Sequence, residues 1–186
     1  MTCIVGMVED GEVYIGGDSI AADGWDKDII AERKVFRRRD ILFGCAGSIR
    51  MMQLIQYHLV IPQRLPLVSD EEYIIVSLVG AIRQCLKDNG LLEVENAKEK
   101  TGQDCIIGYK GRLFLLQTDL SIYMSSFSSI AIGVGKIYAQ TAMHTQQRYI
   151  KSKRVTPCVR IIRALEVAES LCIGVSPPFY VEQLKE

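Results

Sequence analysis

The sequence contains few of the residues that build metal sites and disulfide frameworks. Only two histidines are present, His58 and His144, and no two cysteines have the C-x-x-C spacing. A structural zinc site is therefore not expected. We expect the cysteines to be free, mostly buried thiols of a reducing compartment; they are Cys3, Cys45, Cys85, Cys105, Cys158 and Cys172.

An excess of one charge and long apolar runs are also missing. Lys plus Arg and Asp plus Glu each count 22, so the formal net charge is zero. A balanced charge gives no general attraction to nucleic acid or to an anionic membrane. The N-terminus lacks a signal-peptide pattern, and no apolar run reaches the roughly 18 residues that a membrane span needs. We expect a cytoplasmic protein that binds neither nucleic acid nor membranes.

What the sequence does contain is alternating apolar segments and helical apolar segments within one domain, residues 1–186. Strands are predicted at residues 2–8, 12–15, 19–24, 33–39, 41–47, 105–109, 112–118, 130–134 and 172–176. Helices are predicted at residues 48–60, 69–88, 136–150 and 156–170. Polar loops are predicted at residues 25–28 and 93–103.

The order of these segments indicates the fold class. Strands come first, then two helices, strands, two helices and a last strand, and such segregated runs are typical of α+β proteins rather than of alternating βαβ units. Two antiparallel sheets stacked face to face, each covered by a pair of helices, would bury every apolar face. We therefore predict a four-layer αββα sandwich.

Two motifs that resemble binding sites are rejected. The sequence GVGK at residues 133–136 lacks the earlier glycine and the following Ser or Thr of a phosphate-binding loop. The basic run at residues 33–39 alternates like a strand and has only Phe36 as an aromatic side chain for stacking on bases. We interpret most of this run as a solvated strand face.

A different set of residues has matching chemical properties. Thr2 follows Met1, and removal of Met1 would leave a hydroxyl nucleophile and a free amine base on one residue. An α-amine has a pKa of roughly 7.7–8.0, so a useful fraction is unprotonated near neutrality. A lysine cation such as Lys34 would favour loss of that proton, and a buried lysine needs a carboxylate partner, which Asp18 can supply.

The chain resembles the proteasome β-subunit family and, within it, the bacterial HslV peptidases. The resemblance spans nearly the whole chain, and the spacing of Thr2, Asp18 and Lys34 matches the family without a gap. The absence of a propeptide beyond Met1 is likewise typical of HslV. The matching segments are TCIVGMVEDGEVYIGGDS at residues 2–19, RKV around Lys34, FGCAGS at residues 43–48, AIGVGKIYAQTA at residues 131–142 and ALEVAESLCIGVS at residues 164–176.

The resemblance implies an N-terminal-nucleophile hydrolase that cleaves peptides or unfolded proteins inside a homo-oligomeric single or double ring. It implies that Thr2 is the nucleophile, that Asp18 holds Lys34, and that the Gly47 N–H stabilises the oxyanion. It allows an ATPase unfoldase as a partner. No cofactor is required, although a monovalent cation on backbone carbonyls of residues 169–175 is compatible with the family. The positions matching its substrate groove and first specificity pocket are Ala21, Ala22, Glu32, Cys45 and Ile49.

The sequence departs from the family at two positions near the nucleophile. Val134 stands where the family usually has a serine, and Ser170 stands where it often has an aspartate. Ser129 or Ser170 itself is a candidate substitute. Two alternatives to a peptidase therefore stay open: a ring-forming scaffold with weak or no activity, and an amidohydrolase acting on a small amide. For a ring, the predicted contacts are the helical surfaces at residues 51–61 and 74–86.

Overall fold

The computed structural model describes residues 1–23, 26–149 and 155–185. Its strands are β1 (Cys3–Glu9), β2 (Glu12–Gly17), β3 (Ile20–Asp23), β4 (Asp26–Ile29), β5 (Val35–Arg38), β6 (Ile41–Cys45), β7 (Glu93–Glu95), β8 (Lys98–Lys100), β9 (Cys105–Tyr109), β10 (Arg112–Leu116), β11 (Ile122–Tyr123), β12 (Ser129–Gly133) and β13 (Tyr180–Leu184). Its α-helices are α1 (Ile49–Gln53), α2 (Asp70–Glu72), α3 (Val79–Asp88), α4 (Lys136–Tyr149) and α5 (Pro157–Leu171).

The helices between β6 and β7, which we call the first helical group, contain π-helical segments. Leu54–His58 continues α1 with π geometry, and Tyr73–Leu78 joins α2 to α3 in the same way. Side-chain caps fix where the helices begin: the Ser69 hydroxyl accepts the Glu72 N–H, and the Thr156 hydroxyl accepts the Val159 N–H. Among the described residues, no helix is both long enough and apolar enough to cross a bilayer.

Two antiparallel sheets form the centre of the molecule. The first has the strand order β12-β1-β2-β13, and the second has the order β11-β10-β9-β6-β5. β3 with β4 and β7 with β8 form two further, separate hairpins. In the first sheet β1 is an inner strand, so the residue just before it lies between the ends of β2 and β12.

Side-chain alternation along the strands creates the layers. In β1, Cys3, Val5 and Met7 pack against α4 and α5, whereas Ile4 packs between the two sheets. In β6 the odd-numbered positions face the first helical group and Leu42 faces the other sheet. The predicted four-layer αββα sandwich of two antiparallel sheets is therefore confirmed.

Small residues let the two sheets approach closely. A Cβ atom at Gly44 would lie 2.7 Å from the Ile4 side chain and 2.8 Å from the Ile15 side chain. A larger residue at this position would have to push the two sheets apart. This contact brings β6, and the turn that follows it, against β1 and the N-terminus.

Three predicted segments differ in the structure. A loop was predicted at residues 25–28, but β4 begins there at Asp26. Gly24 and Trp25 lie outside the described residues. The loop predicted at residues 93–103 contains β7 and β8, which are short, largely exposed and charged. The strand predicted at residues 172–176 is a turn after α5, and the last strand is β13. Ile150, the predicted end of the third helix, also lies outside the described residues.

Candidate active site

Thr2 is buried where the chain enters β1. Its relative exposure is 2%, whereas Met1 before it is 43% exposed. Gly133, the register partner of Cys3, has φ +88, and a Cβ atom there would overlap the Thr2 carbonyl oxygen. The Gly135 N–H donates to the same carbonyl at 3.5 Å. The glycine-rich turn after β12 therefore holds the Thr2 backbone in place.

Lys34 lies directly beside the Thr2 hydroxyl. Its Nζ is 2.9 Å from Thr2 Oγ1, 2.9 Å from Asp18 Oδ1 and 2.6 Å from the Ile20 carbonyl oxygen. An ammonium group has three N–H donors, and these three acceptors match them in number. The Met1 carbonyl oxygen lies further away, at 3.5 Å from Nζ. Lys34 is thus fixed in one position with a proton directed at the Thr2 oxygen.

Asp18 follows β2 and fixes Lys34 from the interior. Its carboxylate accepts the Lys34 hydrogen bond and a second one from the Cys3 N–H at 3.1 Å. Burial raises the pKa of Asp18 even though the Lys34 charge acts to lower it. Burial likewise lowers the pKa of Lys34 against the opposing effect of Asp18. Both shifts favour the neutral forms, so the Lys34 ammonium gives up its proton more readily than an exposed lysine does.

A cavity of about 280 Å³ opens onto Thr2 and is bounded on one side by Gly47. Gly47 has φ +115 and follows β6. Its neighbours in the turn donate their N–H groups to protein: Ala46 to the Asp104 carbonyl and Ser48 to the Gln103 side chain. Within the described part of the chain, the Gly47 N–H has no such acceptor. An unpaired backbone donor at the edge of a cavity beside a hydroxyl is suited to binding an oxyanion.

None of the five predicted substrate-binding residues lines this cavity. Ala21 and Ala22 belong to β3, next to the Ile20 carbonyl that binds Lys34. Glu32 borders a separate cavity of about 500 Å³ beside Arg33. Ile49 is partly exposed at the start of α1.

Cys45 is buried on the helical side of β6. Its side chain packs in the apolar cluster between β6 and the first helical group, and its Sγ lies 3.3 Å from Cys105 Sγ. It does not line the cavity that contains Thr2. These positions do not test whether any of the five residues contacts a substrate.

The cavity is also lined by polar residues that were not predicted as site residues from the sequence. Gln103, Asp104, Thr118 and Lys136 line it together with Thr2. The register of β9 explains part of this arrangement, because Cys105 pairs with Cys45 on one side and Leu116 on the other. The residues just outside these pairs therefore meet at the same edge of the sheet as Gly47.

In the described part of the chain, neither serine proposed as a substitute is hydrogen-bonded to Thr2. Ser129 pairs with Met7, five residues along β1 from Thr2 and thus about 16 Å away at roughly 3.3 Å per residue. The Ser170 hydroxyl donates to the Val167 carbonyl within α5 and borders a groove between α4 and α5. Ser129 is therefore too distant to replace the missing family residue, and the substitution by Ser170 stays a prediction.

Val134 makes the surroundings of the N-terminus apolar. Its side chain lies close to Gly174, and a Cβ atom at Gly174 would be 2.6 Å from Val134 Cγ2 and 3.1 Å from Met1 Cβ. Val134 is itself 53% exposed. The position beside the N-terminus that the resemblance assigns to a serine thus holds a hydrocarbon side chain.

The described residues contain no group of three or more His, Cys, Asp or Glu side chains arranged to hold a metal ion. In the segment that the resemblance associates with a monovalent cation, the Cys172 carbonyl accepts the Val175 N–H at 3.2 Å. That carbonyl is thus already engaged in a turn. The cation stays a prediction of the resemblance.

Known structures of other proteins share this fold. No protein-family model matches the chain, and no curated protein sequence matches it. BPH from Thiobacillus denitrificans, solved in complex with epoxomicin, is 18% identical over 100% of both chains with a TM-score of 0.81. HslV from Trypanosoma brucei is 17% identical over 100% of both chains with a TM-score of 0.69. Anbu from Yersinia bercovieri is 17% identical over 98% of this chain and 81% of its own, with a TM-score of 0.66.

These similarities show the fold, which is the proteasome-like fold of N-terminal-nucleophile hydrolases. BPH superposes better than HslV, so the narrower resemblance to HslV has no particular structural support. At 17–18% identity the comparisons assign neither an activity nor a substrate to this chain.

Proposed function

We propose that the chain is a threonine-type endopeptidase in which Thr2, freed of Met1, attacks the carbonyl carbon of a peptide bond. The observation that carries the proposal is the contact of Lys34 Nζ with both Thr2 Oγ1 and Asp18 Oδ1, at 2.9 Å each. A buried lysine that bridges a hydroxyl and a carboxylate has a chemical use in a nucleophile site. It has none in a purely structural core, where it would cost desolvation energy.

The positions of the groups support the following reaction. Thr2 Oγ1 forms a bond to the carbonyl carbon while its proton passes to the Thr2 amine. The carbonyl oxygen becomes an oxyanion beside the Gly47 N–H, a type of contact worth roughly 3 kcal/mol per donor. The C–N bond then breaks as the amine returns the proton to the leaving nitrogen. Water hydrolyses the remaining ester and regenerates the hydroxyl.

Met1 has to be removed before this reaction can run. In the unprocessed chain the Thr2 nitrogen is part of an amide, which is not a base, and the Thr2 hydroxyl donates to the Met1 carbonyl. Removal of Met1 frees the hydroxyl of that contact and creates the amine. Lys34 keeps its three principal acceptors, because none of them belongs to Met1.

The nucleophile is tested by substitution and by labelling. Thr2→Ala is expected to abolish hydrolysis of fluorogenic peptides, and Thr2→Ser to retain part of it. Thr141→Ala, on the exposed surface of α4, is the matched control. Epoxomicin should form an adduct that mass spectrometry locates on the N-terminal peptide. Wild-type turnover by Thr2→Ala would exclude Thr2 as the nucleophile.

We also propose that the working particle is a homo-oligomeric ring that encloses the site. The helical surfaces predicted as contacts leave large apolar side chains exposed: Tyr57 at 70%, Val60 at 80%, Ile75 at 46% and Val76 at 64%. Repetition of one heterologous contact closes a ring when its rotation permits. Light scattering should find a mass several times the 20.9 kDa of one chain. A monodisperse monomer that hydrolyses only small amides would instead support the amidohydrolase alternative.

The alternative of an inactive ring-forming scaffold rests on one observation. Val134 places hydrocarbon next to the N-terminus, and in the described part of the chain neither Ser129 nor Ser170 is hydrogen-bonded to Thr2. A ring that has lost Met1, cleaves no peptide and forms no adduct with epoxomicin would establish this alternative and refute the peptidase.

A further inference from the structure

Residues 101–104 form a rigid segment at the edge of the cavity. Thr101 is 4% exposed, and its N–H donates to the Thr118 carbonyl at 2.8 Å. Its hydroxyl contacts the Gln103 carbonyl at 2.8 Å and accepts the Gln103 N–H at 3.3 Å. The Asp104 carbonyl accepts the Ala46 N–H at 3.1 Å. The Gln103 backbone is thus held from both sides.

From this fixed backbone the Gln103 side chain extends over the turn that follows β6. A Cβ atom at Gly47 would lie 2.6 Å from Gln103 Oε1, 2.7 Å from Cδ and 3.0 Å from Cγ, so the side chain packs flat on Gly47. Its Oε1 accepts the Ser48 N–H. Only glycine permits this contact, and it also adopts the φ of +115 that the turn requires.

The contact determines which backbone donors remain available near Thr2. Gln103 occupies the Ser48 N–H and Asp104 occupies the Ala46 N–H, and the Gly47 N–H between them is left without a partner in the described residues. Without the Gln103 side chain, the Gly47 peptide planes would be free to rotate, because the left-handed region gives glycine several accessible conformations. A donor that rotates stabilises an oxyanion less than one already aligned.

We propose that Gln103 is a positioning residue, which holds the Gly47–Ser48 turn so that the Gly47 N–H faces the carbonyl oxygen of the substrate. Gln103 acts through the turn and does not contact the reacting atoms. The inference rests on the proposed peptidase function, since it assigns a residue to the oxyanion site of that reaction.

Gln103→Met tests the proposal because methionine has a similar length and no amide. We expect kcat for a fluorogenic peptide to fall at least tenfold while KM changes less than threefold, since the donor acts on the transition state. Gln103→Asn keeps the amide but is one methylene too short to reach Ser48, and the same loss is expected. Gln63→Met, at an exposed position outside both predicted ring-contact surfaces, is the control and should keep wild-type rates.

A pair of inhibitors separates positioning from general damage to the cavity. A peptide aldehyde forms a hemiacetal with Thr2 whose oxygen needs the Gly47 N–H, whereas the corresponding peptide alcohol forms no such bond. We expect Gln103→Met to weaken the aldehyde at least tenfold and the alcohol less than threefold. An equal loss for both inhibitors, or an unchanged kcat, would overturn the proposal.

The two proposals can fail separately. If the wild-type protein cleaves peptides and depends on Thr2, while Gln103→Met and Gln103→Asn keep wild-type kcat, only the role of Gln103 is refuted. If the processed wild-type protein neither cleaves peptides nor reacts with the aldehyde, the peptidase function is refuted and the role of Gln103 with it.

Discussion

Replacement of Lys34 alone is expected to lower both the stability of the protein and its turnover. Lys34→Ala removes the hydrogen bonds to Thr2 Oγ1, Asp18 Oδ1 and the Ile20 carbonyl. The Asp18 side chain is fully buried, so its carboxylate would lose its cationic partner in the interior. Breaking one side of a buried pair costs about 3–5 kcal/mol in the free energy of unfolding. Turnover is expected to fall at least a hundredfold, which corresponds to about 2.7 kcal/mol.

A double variant removes the structural cost without restoring the chemistry. Asp18→Asn with Lys34→Met eliminates both buried charges at similar side-chain volume, and the asparagine oxygen still accepts the Cys3 N–H. Replacing a buried ion pair in this way is often neutral for stability. We therefore expect urea unfolding to return close to the wild-type free energy while peptide hydrolysis stays at least a hundredfold low.

The rates are measured with a fluorogenic peptide on protein whose loss of Met1 has been verified. Lys34→Arg is the stringent comparison, because it keeps the charge but replaces a compact ammonium by a planar fork. It should lose nearly as much activity as Lys34→Ala. Near-wild-type turnover by Lys34→Arg or by the double variant would refute the role assigned to the Lys34 ammonium.

The remaining predictions concern processing, pH and thiol reactivity. Active protein should lack Met1 by intact mass, and activity in protein that retains it would rule out the Thr2 amine as base. kcat/KM should rise as that amine loses its proton, below the ordinary α-amine pKa of roughly 7.7–8.0 because the Lys34 cation favours the loss. It should fall again at alkaline pH, as the Lys34 charge is lost below the ordinary lysine pKa of roughly 10.4, because burial lowers the pKa of Lys34. Burial raises the pKa of Cys3 to about 12, so iodoacetamide at pH 8 should leave Cys3 unmodified until the protein is unfolded; rapid labelling of folded protein would contradict its buried position.

Apolar patterning was enough to predict the sandwich because each long helix buries one face and the central strands are apolar enough to bury both. The same patterning failed for strands without buried residues. Every residue of β4 and β7 is exposed, so their polar sequences are typical of loops. It also failed at residues 172–176, where apolar composition indicated a strand. There Ile173 is 89% exposed and only the end of the segment, at Val175, returns to the core.

Some residues of the candidate site could likewise be predicted from the sequence, and others could not. Thr2, Asp18 and Lys34 were predictable because their chemistry is complementary and their spacing matches a known pattern. Gln103 was not, because its contact with Gly47 depends on the pairing of β6 with β9, which brings together segments 56 residues apart. The pairing of two strands so distant in the sequence leaves no local signal in a single sequence.

The same geometry constrains how protons move in the proposed reaction. Among the described residues, Thr2 Oγ1 is hydrogen-bonded to Lys34 Nζ and to the Met1 carbonyl, and the second contact disappears with Met1. Ser129 is too distant and Val134 has no polar atom. In the proposed reaction the Thr2 amine accepts the hydroxyl proton, and in the described part of the chain Lys34 is the only titratable side chain hydrogen-bonded to that hydroxyl. With so few polar partners at the hydroxyl, the proposed reaction depends on the Lys34 ammonium, and Asp18 holds that ammonium in place.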